Sequence, residues 1–189
     1  IWFCLVGSEM CIRDRSPIND PPAEAVGLDG IEKIVCDESL INACKDGQDL
    51  DARWNMMMAS TEGAMAFSKG LGAVHSMSHA IGANQELRLH HGTLNGVILP
   101  TVIRFNKDHV GNKLPRILKA MGKSESADLA DEIEKFNEKI GLPNGLKEMG
   151  VTEEMIPELV EHSITDPSNV TTPKLPSPEE WEQLFLDAM

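Results

Sequence analysis

Four of the six histidines in this chain lie between positions 75 and 91, which makes this segment the best suited to chemistry. They are His75, His79, His90 and His91. Neutral imidazole nitrogen is a common ligand for Zn²⁺, Fe²⁺ and other divalent metal ions. On a helix, the spacing of His75 and His79 places both on one face, with β-carbons about 5–6 Å apart. A single histidine on an apolar face is more often a buried core residue than a ligand, but a cluster of four favours a metal site.

The segments around these histidines predict the elements that must position them. AVHSMSHAIGA has the apolar spacing of a short helix, and NQELRLHH is typical of a loop. GTLNGVILPTVIRFN predicts a helix that Pro100 kinks rather than ends. The histidines are therefore expected on the first of these helices and on the loop that leads to the second.

The segment before the histidines, DLDARWNMMMASTEGAMAFSKG, predicts a second strong helix. It carries little charge after Arg53, so we expect it to be buried on nearly all sides. Its three consecutive methionines are predicted to be core residues: Met56, Met57 and Met58. Lys69 at its end is predicted to be a solvated lysine that interacts with the helix dipole, the alternative being a contact with a phosphate or carboxylate in the cleft.

The rest of the chain also predicts helices. AEAVGLDGIEKIVCDESLINACKDG has helical apolar spacing up to Gly47, three or four amphipathic helices follow Asp108, and a terminal helix begins at Ser177. No segment predicts a strand. The predicted fold class is therefore all-α, a helical bundle.

Composition limits the possible partners of the protein. Hydrophobic residues make up 41% and charged residues 25% of the 189 residues, as in ordinary globular proteins. The formal net charge of -13 argues against a nucleic-acid partner, because phosphate binding needs a basic surface. The apolar run IWFCLVG near the start of the sequence is too short to span a membrane. The four cysteines show no CxxC spacing, so we expect reduced thiols in a cytoplasmic protein.

The segment AFSKGLGAVHSMSHAIGANQELRLHHGTLNGVILPTVIRFN resembles the signature region of the iron-containing, or group III, alcohol dehydrogenases. The resemblance extends over residues 16–189. It implies a bundle equivalent to the C-terminal domain of the dehydroquinate synthase-like, iron-dependent alcohol dehydrogenase fold. It also implies NAD- or NADP-linked oxidation of a small alcohol to an aldehyde or ketone, or the reverse. The implied metal is Fe²⁺, with Zn²⁺ as the alternative that histidine and carboxylate ligands also accept. The intact parent would be a homodimer or a higher oligomer.

The resemblance also implies a role for individual histidines. It assigns the metal ligands to His75 and His91, rather than to the pair that helical spacing alone favours. It places His79 beside the nicotinamide and the substrate, where a histidine is suited to proton relay. His90 matches no ligand of the family and is interpreted as a loop histidine.

Two further family ligands, an aspartate and a histidine about one helical turn apart, are expected before the SPINDPP turn. In this chain that place holds GSEMCIRDR, which offers no DxxxH pattern. We therefore expect residues 1–15 to be foreign to the domain and residues 16–189 to form a helical metal-binding and substrate domain. The nucleotide-binding domain is expected to be absent from this fragment, which by itself would be inactive.

Two alternatives remain open from the sequence. The first is a glycerol dehydrogenase-like member of the same superfamily, although the histidine spacing and the HGTLN segment favour an alcohol dehydrogenase. The second is a non-catalytic helical metal-binding module.

Overall fold

A computed structural model describes residues 20–189 of the protein. This part of the chain contains nine α-helices, short 3-10 turns between them and no strand, which confirms the predicted all-α class. The predictions made for residues 1–15 lie outside the described residues. The helices are α1 (Pro21–Ile31), α2 (Ser39–Lys45), α3 (Leu50–Ala66), α4 (Ala73–Gly82), α5 (His91–Asn106), α6 (Lys113–Ala120), α7 (Leu129–Lys139), α8 (Ile156–Thr165) and α9 (Pro178–Asp187).

Side-chain caps define where several helices begin. Asp20, Asp49 and Asp128 each accept backbone N–H groups from the first turn of α1, α3 and α7. Ser177 begins α9, as predicted, and forms a reciprocal capping box with Glu180. These contacts satisfy N–H groups that have no partner inside the helix.

The sequence predicts one continuous helix up to Gly47, and this prediction is wrong because the helix is interrupted. After α1 the chain forms a π-helical turn, Glu32–Cys36, and Glu38 then adopts a left-handed conformation with φ of 53° before α2 begins. Both α1 and α2 pack against α3. Because both helices bury apolar residues on the same neighbour, the apolar spacing continues across the break and does not reveal it.

The two helices that carry the histidines lie at the centre of the bundle. α4 packs against α5 and α8, and α5 packs against α7. Pro100 lies inside α5 and does not end it, as predicted. The apolar faces of α4 and α5 are fully buried, including Val74, Met77, Leu94 and Ile98. The histidines are thus attached to the most tightly enclosed helices of the described chain.

The prediction that α3 is buried on nearly all sides is wrong. The helix packs on α1 and α2 with one face, while Leu50, Trp54, Met57 and Met65 are exposed by 59% or more. Of the three consecutive methionines, Met56 is fully buried but Met57 is not. A low share of charge predicts burial only where neighbouring elements cover the helix, and none of the described elements covers this face.

The prediction that Lys69 is solvated is also wrong. Its side chain is completely buried, and its ammonium group lies 2.9 Å from Glu24 Oε1 on α1. Arg116 approaches the other oxygen of the same carboxylate, also at 2.9 Å. The long apolar stem of a lysine can cross the interior when its ammonium group reaches a carboxylate, and here Glu24 supplies it.

None of the helices within residues 20–189 is long and apolar enough to cross a membrane. Cys36 and Cys44, the two cysteines in this range, are free thiols on the surface.

Candidate metal centre

Three imidazole rings meet where α4 faces the start of α5. His75 and His79 project from α4, and His91 is the first residue of α5. The ring centroids are 5.7 Å apart for His75 and His79, and 5.2 Å apart for each of the other two pairs. The structure therefore brings together the three histidines to which the family resemblance assigned roles.

Asn95 shows which nitrogen atoms of two of these rings face each other. Its side-chain Nδ2 lies 3.4 Å from His75 Nε2 and 3.1 Å from His91 Nε2. An amide nitrogen only donates hydrogen bonds, so both Nε2 atoms are the acceptors and each neutral ring carries its proton on Nδ1. Two Nε2 lone pairs therefore point at the same place, as two ligands of one metal ion must.

Ser78 orients the ring of His91. The Nδ1–H of His91 donates to Ser78 Oγ over 3.3 Å, and the Ser78 hydroxyl donates to the backbone oxygen of His75 over 3.1 Å. A partner on the second ring nitrogen is the usual way in which a protein selects the tautomer of a metal-binding histidine. This contact keeps the Nε2 lone pair of His91 directed toward His75.

The surroundings of His91 favour its neutral form. Burial lowers the pKa of His91, and the neighbouring His79 and His90 lower it further. His75 is buried, with only 3% of its surface exposed. Because a metal ion binds neutral imidazole, the lowered pKa keeps His91 in the form that can act as a ligand at neutral pH.

His79 occupies a different position from the other two histidines. Its side chain is 40% exposed, and its ring is nearly parallel to that of His91, at 18°. Its Nδ1 lies 3.0 Å from Asp166 Oδ2, on the segment that follows α8. His79 is thus hydrogen-bonded to a carboxylate at the edge of the centre, while His75 and His91 share the contact with Asn95.

His90 belongs to the helix end rather than to the cluster. It is the N-cap of α5, and its Nδ1 accepts from the backbone N–H of Thr93 at 3.4 Å. His109 and His162, to which the sequence assigned no chemistry, lie on other elements.

Sequence reasoning missed three polar residues of the centre. Asn95 lies four positions after His91 on α5, and Ser78 lies three positions after His75 on α4. Residues at these spacings lie on the same face of a helix, so the sequence could have indicated both contacts. Asp166 is 87 positions away from His79, and no local pattern connects the two.

The ligand atoms at this centre decide which metal ions fit it. Two neutral imidazole nitrogens, held toward one point, suit Fe²⁺ and Zn²⁺ equally. Across residues 20–189, no group of three or more histidine, cysteine, aspartate or glutamate side chains is arranged to hold a metal ion. The described chain thus supplies a pair of converging nitrogen ligands rather than a full coordination sphere.

Comparison with known proteins identifies the family. The profile of the Fe-containing alcohol dehydrogenase family, C-terminal, matches residues 16–189. The chain belongs to this family. The match covers the whole helical bundle, so the family and the fold inferred from the histidine segment are both confirmed.

Individual relatives agree with this assignment. The 4-hydroxybutyrate dehydrogenase of Cupriavidus necator is 40% identical over 181 residues, which cover 92% of this chain and 47% of the relative. The NAD-dependent methanol dehydrogenase of Bacillus methanolicus is 30% identical over 89% of this chain and 46% of the relative. A crystal structure of a 1,3-propanediol oxidoreductase superposes with a TM-score of 0.87 at 28% identity, covering 98% of this chain and 51% of that one. The chain therefore spans about half the length of the Fe-containing alcohol dehydrogenases that it matches.

Proposed function

We propose that the chain is the helical metal-binding half of an NAD- or NADP-linked alcohol dehydrogenase, with His75 and His91 as metal ligands. The observation that carries this proposal is the convergence of His75 Nε2 and His91 Nε2 on Asn95 Nδ2. Fe²⁺ is the proposed metal, in keeping with the family, and Zn²⁺ is the alternative that the same nitrogens accept. When bound, the metal ion supplies Lewis acidity, which makes the alcohol proton easier to lose.

The proposed role of His79 is to accept the proton of the alcohol. Oxidation removes a hydride, which passes to the nicotinamide, and a proton, which needs a base nearby. His79 Nδ1 lies 3.0 Å from Asp166 Oδ2, so Nε2 is the ring nitrogen that remains for a substrate proton. The ring is partly exposed and borders the metal centre, where it is within reach of a bound substrate.

The proposed substrate class is a small alcohol, with the corresponding aldehyde or ketone as the product. The names of the two relatives above include 4-hydroxybutyrate and methanol. Short primary alcohols, with and without a terminal carboxylate, are therefore the first compounds to test. Glycerol tests the glycerol dehydrogenase-like alternative in the same assay.

Metal binding by the chain itself tests the ligand assignment. Calorimetric titration with Zn²⁺, and with Fe²⁺ under anaerobic conditions, should show weak binding at one site. We expect His75→Ala and His91→Ala each to abolish it. His79→Ala and the surface control His162→Ala should retain it. Unchanged binding in both His75→Ala and His91→Ala would rule out the ligand assignment, and tight stoichiometric binding by the wild-type chain would favour a stand-alone metal-binding module.

Catalysis requires a nucleotide-binding half, which a close relative can supply. The N-terminal half of the Cupriavidus necator 4-hydroxybutyrate dehydrogenase would be joined to this chain in place of residues 1–15. We expect the hybrid to reduce NAD or NADP in the presence of a short alcohol. His75→Ala and His91→Ala should remove both activity and bound metal, whereas His79→Ala should lower activity and leave the metal content unchanged. An active hybrid that tolerates loss of both His75 and His91 would contradict the proposal.

A further inference from the structure

We infer that Asp166 is a positioning residue that holds His79 in the Nδ1–H tautomer and leaves Nε2 free to accept a proton. Asp166 Oδ2 lies 3.0 Å from His79 Nδ1. A carboxylate only accepts hydrogen bonds, so a neutral His79 must donate through Nδ1 to use this contact. The catalytic consequence rests on the proposed function, but the tautomer itself does not.

Asp166 is held in place through its other oxygen atom. Its Oδ1 accepts from the backbone N–H of Ser168 at 2.7 Å, and the residue caps the 3-10 helix Pro167–Thr171. The side chain is 14% exposed. Burial alone raises the pKa of Asp166, but hydrogen bonds from the Ser168 hydroxyl and N–H and from His79 outweigh it and hold the pKa below its ordinary value. The group is therefore a carboxylate at neutral pH.

The segment that carries Asp166 is fastened to the histidine helix. The backbone N–H of Gly72, just before α4, donates to Ser168 O at 2.9 Å. Ser76 on α4 donates to Asn169 Oδ1 at 2.6 Å, and Asn169 Nδ2 donates to Ser163 O on α8 at 2.6 Å. These contacts lie on both sides of Asp166 and fix its distance from α4. The contact between Asp166 and His79 is thus set by the packing of three elements.

A carboxylate in this place has two effects on a histidine that moves protons. It selects the tautomer whose Nε2 lone pair is available, and it stabilises the imidazolium that forms when Nε2 takes up the proton. The proton passes from the alcohol oxygen to His79 Nε2, while the Nδ1 proton stays between His79 and Asp166. Neither effect requires Asp166 to touch the substrate.

Nuclear magnetic resonance on the full chain tests the inference without metal or cofactor. Long-range proton–nitrogen correlation of ¹⁵N-histidine-labelled protein reports the tautomer of each ring at about pH 8.5, well above the ordinary histidine pKa of about 6.5. The His79 signals are assigned by their loss in His79→Gln. We expect the wild-type His79 ring to show one protonated Nδ1 and an unprotonated Nε2.

The decisive variant is Asp166→Asn. Its amide oxygen should keep the contact with the Ser168 N–H, which turns the amide NH₂ toward His79. An NH₂ group donates, so His79 Nδ1 must become the acceptor and the tautomer should reverse to Nε2–H. Asp166→Glu keeps a carboxylate and should retain the wild-type tautomer. Asp128→Asn is the matched control, because Asp128 also caps a helix through its carboxylate but lies on α7.

Three outcomes would overturn the inference: an Nε2–H tautomer in the wild type, an unchanged tautomer in Asp166→Asn, or the same reversal in Asp128→Asn. Unchanged signals of His109 and His162 will show that each variant is folded.

Zinc titration separates this inference from the proposed function. Asp166→Asn should keep the wild-type affinity within about twofold, because His79 is not proposed as a ligand. If His75→Ala and His91→Ala bind zinc normally while Asp166→Asn reverses the tautomer, the metal centre is wrong and the role of Asp166 stands.

Discussion

Two regions of this molecule bury polar side chains, and they do so in opposite ways. Around Glu24, two cations meet one carboxylate, and each lies 2.9 Å from a different oxygen. Around Asn95, two neutral imidazoles direct unprotonated nitrogens at one amide group. In the first region a carboxylate lies against the buried ammonium group of Lys69, and the contacts link helices of the bundle. In the second region the lone pairs of two imidazoles converge, which is the arrangement that a metal-binding centre needs.

The difference separates residues that stabilise the fold from residues that serve the site. The ion pair joins α1 to the turn after α3 and to α6, so its loss should affect unfolding. The histidine centre lies between helices that already share a continuous apolar core. Its polar contacts should therefore affect metal affinity more than stability.

The largest expected effect is that of Glu24→Gln. The substitution leaves the buried Lys69 ammonium facing an amide, and breaking a buried pair in this way costs about 3–5 kcal/mol. Urea denaturation of the wild type and the variant measures the loss. Zinc affinity should not change, because Glu24 is not part of the histidine centre. A loss of stability below about 1 kcal/mol would be typical of a surface ion pair. It would contradict the view that the Glu24 pair stabilises the fold whereas the histidine centre serves metal binding.

Ser78→Ala should have the opposite effect to Glu24→Gln, with a large loss of zinc affinity and a small loss of stability. The substitution removes the hydrogen bond that orients the His91 ring, and loss of such a contact lowers metal affinity about 10–100-fold. The stability of the metal-free chain should fall by only about 1 kcal/mol. Zinc titration and urea denaturation of the same sample measure both quantities. A stability loss with unchanged zinc affinity would show that Ser78 serves the fold and not the site.

Acid should weaken the ion pair in a predictable range. Burial alone raises the pKa of Glu24, but the hydrogen bonds from Lys69 and Arg116 outweigh it, so its pKa in the folded protein lies below the ordinary 4.5. A depressed carboxyl pKa adds stability that is complete above the ordinary value and is lost as the pH falls through the folded value. The stability difference between wild type and Glu24→Gln should therefore be constant near neutral pH and shrink below about pH 4.5. A difference that grew on acidification would contradict the sign of this shift.

The smallest expected effect is that of Arg104→Gln, which is the exposed counterpart of the Glu24 pair. Arg104 contacts Asp131 and Glu134 at 2.8 and 2.6 Å, but all three side chains are 41% exposed or more. Water and salt screen such contacts, so the loss of stability should stay within about 1 kcal/mol. Denaturation in low and high salt should show that salt reduces even this effect. A loss of stability equal to that of Glu24→Gln would mean that burial does not explain why the Glu24 pair contributes more than an exposed pair.

The sequence predicted the all-helical class and the histidine helices because their apolar spacing is local and strong. It also predicted the start of α9, since Ser177, Pro178 and the following glutamates are local helix signals. It did not predict the break before α2, because Glu38 adopts its left-handed conformation inside an unbroken apolar pattern. It misjudged α3, because low charge is a property of the segment whereas exposure depends on its neighbours.

The residue types and spacing of the histidine segment carried the resemblance that identified the family and its helical fold, and they singled out the histidines that the structure brings together. These features depend on the order of residues within short stretches of the chain. Only the tertiary structure showed that His75 and His91 present Nε2 to the same amide, that Asp166 reaches His79 from 87 positions away, and that Lys69 is buried against Glu24. Each of these contacts joins separate elements. Their partners are selected by the packing of whole helices, which no local pattern encodes.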